Sequence, residues 1–300
     1  MDLRCAAWAR TEGVDPIGTA GSYAGFLCVD WRRPWPRDLN EVEALAPLVA
    51  ESSRRDFRLQ GLLPVDGGKM ARVVLYRAGP GPGFDTYRRS EAECAPSDVV
   101  ETAVDLLNAG APGAADTPAA TDVLVCTHGR RDVCCGSRGT ALLGEVGNAA
   151  VLPVRTRLWA TTHTGGHRFA PNAIVLPEGT VWGFLDTEKL RRIVRREGPV
   201  ADLLPHYRGC AGLGSPALQA LERAVLAEVG WELFDCRRAG TDLGEGHVRL
   251  EVTAPDGTAR SWEAVVEVGR LLPVPDCGQP VTTAKKTEAE LVVTQLRRVA

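Results

Sequence analysis

Two rhythms of apolar and polar positions run through the first two hundred residues. Residues 25–31 (GFLCVDW) form a short, almost wholly apolar run, which predicts a buried strand. Asn40 can cap a helix that carries Leu45, Leu48 and Val49 on one face. Apolar runs at 57–65 and 71–77 predict two more strands, followed by a shorter one near 84–88. Ser97 then caps a helix with Val100, Val104 and Leu107 at helical spacing, and Gly110 stops it. The same order returns after residue 120. Residues 122–126 (DVLVC) predict a strand, 137–146 a helix and 151–159 (VLPVRTRLW) a strand. Residues 172–176 and 180–185 predict a hairpin around Pro177-Glu178-Gly179, and Thr187 opens a helix with Leu190, Ile193 and Val194.

Strand, helix, strand, hairpin, helix is the thioredoxin-like order. The chain is therefore expected to be α/β (α+β), with two tandem thioredoxin-like units and a small C-terminal α+β segment. Two Pro/Gly/Ala-rich stretches, 109–120 (AGAPGAADTPAA) and 209–215 (GCAGLGS), mark breaks. The expected domains are an N-terminal thioredoxin-like domain over 1–115, a second over 121–200 and an α+β domain over 210–300. In the third, Ser215 and Pro216 start a helix ended by Gly230. Residues 248–253 and 260–268 alternate around Asp256-Gly257 as a hairpin, and 291–299 add a strand or short helix. No ligand cluster is expected in that segment.

Composition excludes several classes. The 44% hydrophobic and 24% charged residues are ordinary for a globular chain. A net charge of −3 argues against a dedicated nucleic-acid binder or a polybasic membrane protein. No run approaches the roughly 18 apolar residues of a membrane span. The start is polar and has no signal-peptide core, so a cytoplasmic location is expected.

Cysteine is the unusual total. The chain has nine, an odd number that argues against a disulfide framework where no export signal is seen. Packing, metal ligation and redox chemistry remain. Cys126, Cys134 and Cys135, with three of the five histidines, fall between residues 126 and 167. Cys126 ends a predicted strand and Cys135 precedes a predicted helix, whose N-terminal amides favour thiolate. His163 and His167 flank Gly165-Gly166, which oppose a helix and predict a loop that turns both imidazoles inward.

Two thiolates and two imidazoles complete a ligand set for zinc or for a [2Fe–2S] cluster. Spacing does not separate the two, although Cys126 and Cys135, nine residues apart, suit a loop around a larger cluster. A Rieske pattern is absent: Cys126-Thr127-His128 matches C-x-H, but no C-x-x-H follows. Cys134 is expected to point away from its neighbour Cys135, with an alternative ligand or a disulfide partner as its other readings. His128 is expected to order the loop or stand behind the ligands, and Arg130, Arg131, Arg138 and Arg168 can ring the site. The other cysteines, Cys5, Cys28, Cys94, Cys210, Cys236 and Cys277, are expected to pack as small apolar residues.

The motifs C-T-H-G-R-R-D-V-C-C-G at 126–136 and H-T-G-G-H-R-F-A-x-N at 163–172 resemble the sucrase/ferredoxin-like family. Gly18-Thr19-Ala20 and the stretch from Trp31 to Asp38 (WRRPWPRD) are also similar to that family's opening. The resemblance covers roughly residues 5–195. It implies a thioredoxin-like ferredoxin domain with a [2Fe–2S] cluster on Cys126, Cys135, His163 and His167. The implied function is electron transfer to an unidentified redox partner protein, as a carrier more than a stand-alone enzyme, with no nucleic acid and no membrane. The rival readings are a zinc-stabilised structural or interaction module and a thiol–disulfide oxidoreductase. The last lacks the C-x-x-C of thioredoxin-type catalysis. No convincing carboxylate pair supports a glycosidase.

Overall fold

The computed structural model describes residues 4–65, 69–109 and 121–299. A short helix α1 (Cys5–Thr11) precedes β1 (Gly25–Asp30), α2 (Ala46–Arg54), β2 (Phe57–Leu62), β3 (Ala71–Ala78), β4 (Tyr87–Cys94) and α3 (Val99–Asn108). The second set is β5 (Thr121–Cys126), α4 (Thr140–Ala149), β6 (Thr156–Thr161), β7 (Ala173–Leu176), β8 (Thr180–Trp182) and α5 (Thr187–Arg195). In the first set β1 pairs parallel with β2 and antiparallel with β3, and β3 pairs with β4. The second set repeats this: β5 with β6 in parallel, β5 with β7 and β7 with β8 antiparallel. The two halves share one mixed sheet, joined where Leu62 of β2 pairs with Thr161 of β6. That joint matters because it sets the first half directly beside the loop that follows β6.

The chain continues through β9 (Tyr207–Cys210), α6 (Pro216–Val229), β10 (Arg237–Gly244), β11 (His247–Thr253), β12 (Ala259–Pro273) and β13 (Thr287–Arg298). Strand β9 extends the large sheet beside β8, while β10 to β13 form a separate antiparallel sheet. Ser215 caps α6 by accepting the Leu218 N–H, and Pro216 stands in its first turn. The helix buries Leu218, Leu221, Val225 and Leu226, each worth about 1.5–3 kcal/mol of apolar burial. One apolar cluster runs from Phe26 and Tyr76 through Trp182 and Leu221 to Leu250 and Trp262, so all three stretches of sequence share it. A second cluster fills the space between the first half of the sheet and α2 and α3, with Leu27, Val29, Leu48, Val73 and Leu107. Strand β1 is covered on both faces, which is why its residues are buried without alternation.

Several elements differ from the sequence expectation for local reasons. Asn40 does not cap α2. The Asp38 side chain accepts the Asn40 N–H at a separate 3-10 turn, and α2 starts at Ala46 with Pro47 in its first turn. Likewise α3 starts at Val99 after a 3-10 turn, Pro96–Asp98, and Ser97 turns its hydroxyl to Asp98. Of residues 84–88, Phe84 forms only an isolated bridge to Arg238, while Tyr87 and Arg88 open β4, a charged edge strand that runs on to Cys94. The 151–159 run enters the sheet only at Thr156. Gly209 and Cys210, read as a break, are buried in β9. Gly110 and most of the 109–120 stretch lie outside the described residues. Among the described residues no helix is long and apolar enough to cross a membrane.

Two buried polar groups tie the parts together. Asp122 of β5 accepts hydrogen bonds from Arg157 (2.8 and 2.9 Å), Trp159 (2.6 Å) and Arg89 (3.1 Å), and from Tyr76. Burial alone would raise this carboxyl, but the bonds from Arg157, Tyr76 and Trp159 outweigh it and hold Asp122 below the usual carboxylate range. Glu222 of α6 and Arg238 of β10 form a wholly buried ion pair at 2.5 Å. Tyr207 also donates to Glu222 (2.7 Å), and Arg238 donates to the Asp85 carbonyl (2.9 Å).

Candidate metal centre

The site forms where β5 runs into the helix that leads to α4. Cys126 is the last residue of β5 and is fully buried. Asp132 Oδ1 accepts the N–H groups of Cys134 (2.8 Å) and Cys135 (3.3 Å), which caps the start of the helix. Residues Cys135–Gly139 then make a π-turn before α4, a distortion common at functional sites. Gly139 is required there: a Cβ would lie 1.9 Å from the Cys126 carbonyl oxygen. This close approach brings Cys135 beside Cys126. A hydrogen bond from Cys135 is the main cause holding the Cys126 thiol well below the ordinary thiol range, and His163 adds to it. The same bond, with burial, pushes Cys135 up.

The histidine loop follows β6. The His163 carbonyl accepts from Arg58 (2.7 Å) and Gln60 (3.3 Å), both on β2 of the first half. The His163 N–H donates to His128 Nδ1 (3.2 Å), so the proton of that ring sits on Nε2 and is given to the Pro36 carbonyl (2.7 Å). Both nitrogens of His128 are thereby used, and burial holds the ring below its ordinary pKa. It orders the loop. Trp35 packs edge-on against the same ring at 5.6 Å.

Gly165 and Gly166 have φ of +83° and +63°, as the turn needs. A Cβ on Gly166 would meet Arg208 Nη2 at 2.3 Å. Arg208, on β9, is buried and was not singled out in the sequence. It donates to the Thr19 carbonyl (2.6 Å) and hydroxyl (3.0 Å), to the Gly165 carbonyl (3.1 Å) and to Asn172 (3.4 Å). Burial lowers its pKa to about 10. Asn172 in turn donates to the Gly166 carbonyl (2.9 Å). The Gly18-Thr19-Ala20 and His163-to-Asn172 motifs thus meet through one buried cation.

The donor atoms of Cys126, Cys135 and His163 all lie within 4.8 Å of one another. His167 stands outside that triad, with its ring centroid 6.3 Å from that of His163. Its Nε2 lies 3.2 Å from the Pro275 carbonyl, a contact that leaves Nδ1 available. His163 Nδ1 is buried and has no hydrogen-bond partner. An orphaned imidazole nitrogen, two buried thiols and a second imidazole with its outer nitrogen engaged fit an iron–sulfur or metal group. Cys126 and Cys135 are fully buried, whereas both histidines are half-buried.

Cys134 turns the other way, as expected of a vicinal residue, but it meets partners that sequence spacing could not reveal. Its Sγ lies 2.9 Å from Cys277 Sγ, which lies 3.1 Å from Cys5 Sγ. Asp132 approaches Cys277 (3.4 Å) and Cys5 (3.6 Å). Cys5 and Cys277 therefore pack against a carboxylate and a third thiol as well as apolar neighbours, and the third segment brings Cys277 into a group of four side chains that could hold a metal ion. The four arginines expected around the first site divide. Arg130 and Arg131 are exposed, Arg131 lying 3.7 Å from Asp38, and Arg138 is half-buried. Arg168 is buried and paired with Glu288 of β13 at 2.7 Å. A cleft of about 400 Å³ opens at His163, lined by Tyr23, Arg37, Arg58, His128 and Arg131.

A family model described as sucrase/ferredoxin-like matches residues 16–209, about two thirds of the chain. The chain belongs to the sucrase/ferredoxin-like family. The region matched contains Cys126, Cys135, His163 and His167, and with them Thr19, Pro36, Asn172 and Arg208. It leaves out Cys5, Cys277 and the second sheet, so this sucrase/ferredoxin-like chain carries its second cysteine cluster partly on segments beyond the match. No curated protein and no solved structure matches the chain.

Proposed function

We propose that this sucrase/ferredoxin-like chain is a one-electron carrier with a [2Fe–2S] cluster on Cys126, Cys135, His163 and His167. The observation that carries the reading is the polarity of the site. The thiol pair is fully buried, while the imidazole pair is half-buried beside a cleft with Arg37, Arg58 and Arg131 in its wall. The triad within 4.8 Å and the detached His167 agree with a group larger than one ion. We read the strand orders β4-β3-β1-β2 and β8-β7-β5-β6 as two thioredoxin-like units. The first is cluster-free and holds His163 through Arg58 and Gln60.

When bound, the cluster supplies reversible one-electron chemistry. This chain's residues set its terms. Two neutral imidazoles in place of thiolates make the site less negative and easier to reduce, as in Rieske centres at roughly −150 to +300 mV. The buried cation of Arg208, behind Cys135 and Cys126, favours the added electron further. The arginines of the cleft fit an acidic face on the redox partner protein.

Redox titration of the intact protein between about pH 6 and 10 tests this reading. An imidazole whose outer N–H can leave gains negative charge when it does, so reduction then becomes harder. The midpoint potential is expected to lie in the Rieske range at neutral pH and to fall as pH rises. A pH-independent value near −400 mV would count against histidine ligation.

A further inference from the structure

We propose a second metal site that holds a single zinc ion on Cys5, Asp132, Cys134 and Cys277. Its donors come from three separate places: the first residue of α1, the cap and first turn of the helix after β5, and the connection between β12 and β13. All four donor atoms lie within 4.8 Å of one another. The two sulfur–sulfur contacts are 2.9 and 3.1 Å, and the carboxylate lies 3.4 and 3.6 Å from two of the sulfurs.

These distances decide between the uses of three thiols. A disulfide bond is about 2.05 Å, so neither contact is one, and a single disulfide would leave a thiol and a carboxylate behind. Apolar packing is a poor account as well. The surrounding cluster consists of Ala6, Ala170 and other cysteines, and a buried carboxylate sits within it. Four anionic donors brought together are stabilised by a dication. Bonds of 2.3 Å in a tetrahedron place sulfurs about 3.8 Å apart, so the thiols need open by less than ~1 Å. A sulfur-rich tetrahedral set of this size selects zinc, and it is too compact for a multi-iron cluster.

The position gives the ion a task. Cys134 and Cys135 are neighbours that face opposite sites. Cys277 is two residues from Pro275, whose carbonyl faces His167 Nε2. Zinc would fasten α1 and the 274–286 connection against the electron-carrying site and hold Pro275 behind His167. Cys5 and Cys277 both lie outside the residues that the family model matches, so the site joins flanking segments to the common region.

The test is the zinc content of the full-length protein, purified without oxygen, beside that of single variants. About one zinc per chain is expected in the wild type, unchanged in His163→Ala. It should fall at least tenfold in Cys277→Ser and in Cys5→Ser, and stay bound in Cys277→His, which keeps a donor. The histidine variant also separates lost zinc from lost folding. Two zinc ions per chain, one lost in each of His163→Ala and Cys277→Ser, would support this site and overturn the cluster reading of the first. Wild type without zinc, zinc retained in both serine variants, or a mass 2 Da short from a disulfide would overturn the proposal.

Discussion

Replacing His163 or His167 with cysteine is expected to keep a cluster and lower its midpoint potential, by on the order of 100 mV or more for each histidine. The reason is charge. A thiolate adds one negative charge where an imidazole adds none, and the site is largely buried, so the penalty on the reduced state is weakly screened. All-cysteine plant-type ferredoxins near −400 mV mark the end of this series. His167→Cys also removes the ring that faces the Pro275 carbonyl, so its potential should lose pH dependence that arises at that nitrogen. Protein-film voltammetry of the two variants measures both effects. A potential that stays constant or rises would remove these histidines from the ligand set.

The second large effect falls on stability. Glu222→Gln is expected to cost about 3–5 kcal/mol, because it leaves the Arg238 guanidinium buried without its counter-charge. Arg238 cannot shed its proton to relieve this. The loss is sharp because the pair sits where the parts meet. Arg238 also reaches the Asp85 carbonyl, and Glu222 also accepts from Tyr207. The double variant Glu222→Leu with Arg238→Met removes both charges and should recover most of the loss. Equilibrium urea unfolding of the three proteins checks this. A single variant within 1 kcal/mol of wild type would show that the pair is not the joint described here.

The element order was legible because short apolar runs and caps carry it. Residues 25–31, 122–126 and 172–176 became strands β1, β5 and β7 with only small changes at their ends. Strand β4 was legible only at its start, near residues 84–88, since the rest of an edge strand reading YRRSEAEC has no apolar alternation. Strand β10 was missed for a similar reason, its residues being largely exposed. At the site, the four proposed ligands were visible as a motif. Their supports were not: Arg58, Gln60, Pro36 and Arg208 lie far apart in sequence and act through backbone carbonyls and buried hydrogen bonds, which no spacing rule encodes. The grouping of Cys134 with Cys5 and Cys277 escaped for a topological reason. Their separations of 143 and 272 residues match no ligand spacing, and only the return of the chain after β12 brings Cys277 to the others. The one available signal was the odd cysteine count.

On the proposed function, Cys126, Cys135, His163 and His167 hold two irons. Iron, acid-labile sulfide and zinc content, with the visible absorption spectrum, tests it most directly on protein purified without oxygen, with Cys126→Ser as the blank. Two irons and two sulfides per chain are expected, with a visible absorption that Cys126→Ser lacks and one zinc that both proteins share. A colourless wild type without iron, carrying a second zinc that Cys126→Ser loses, would contradict it.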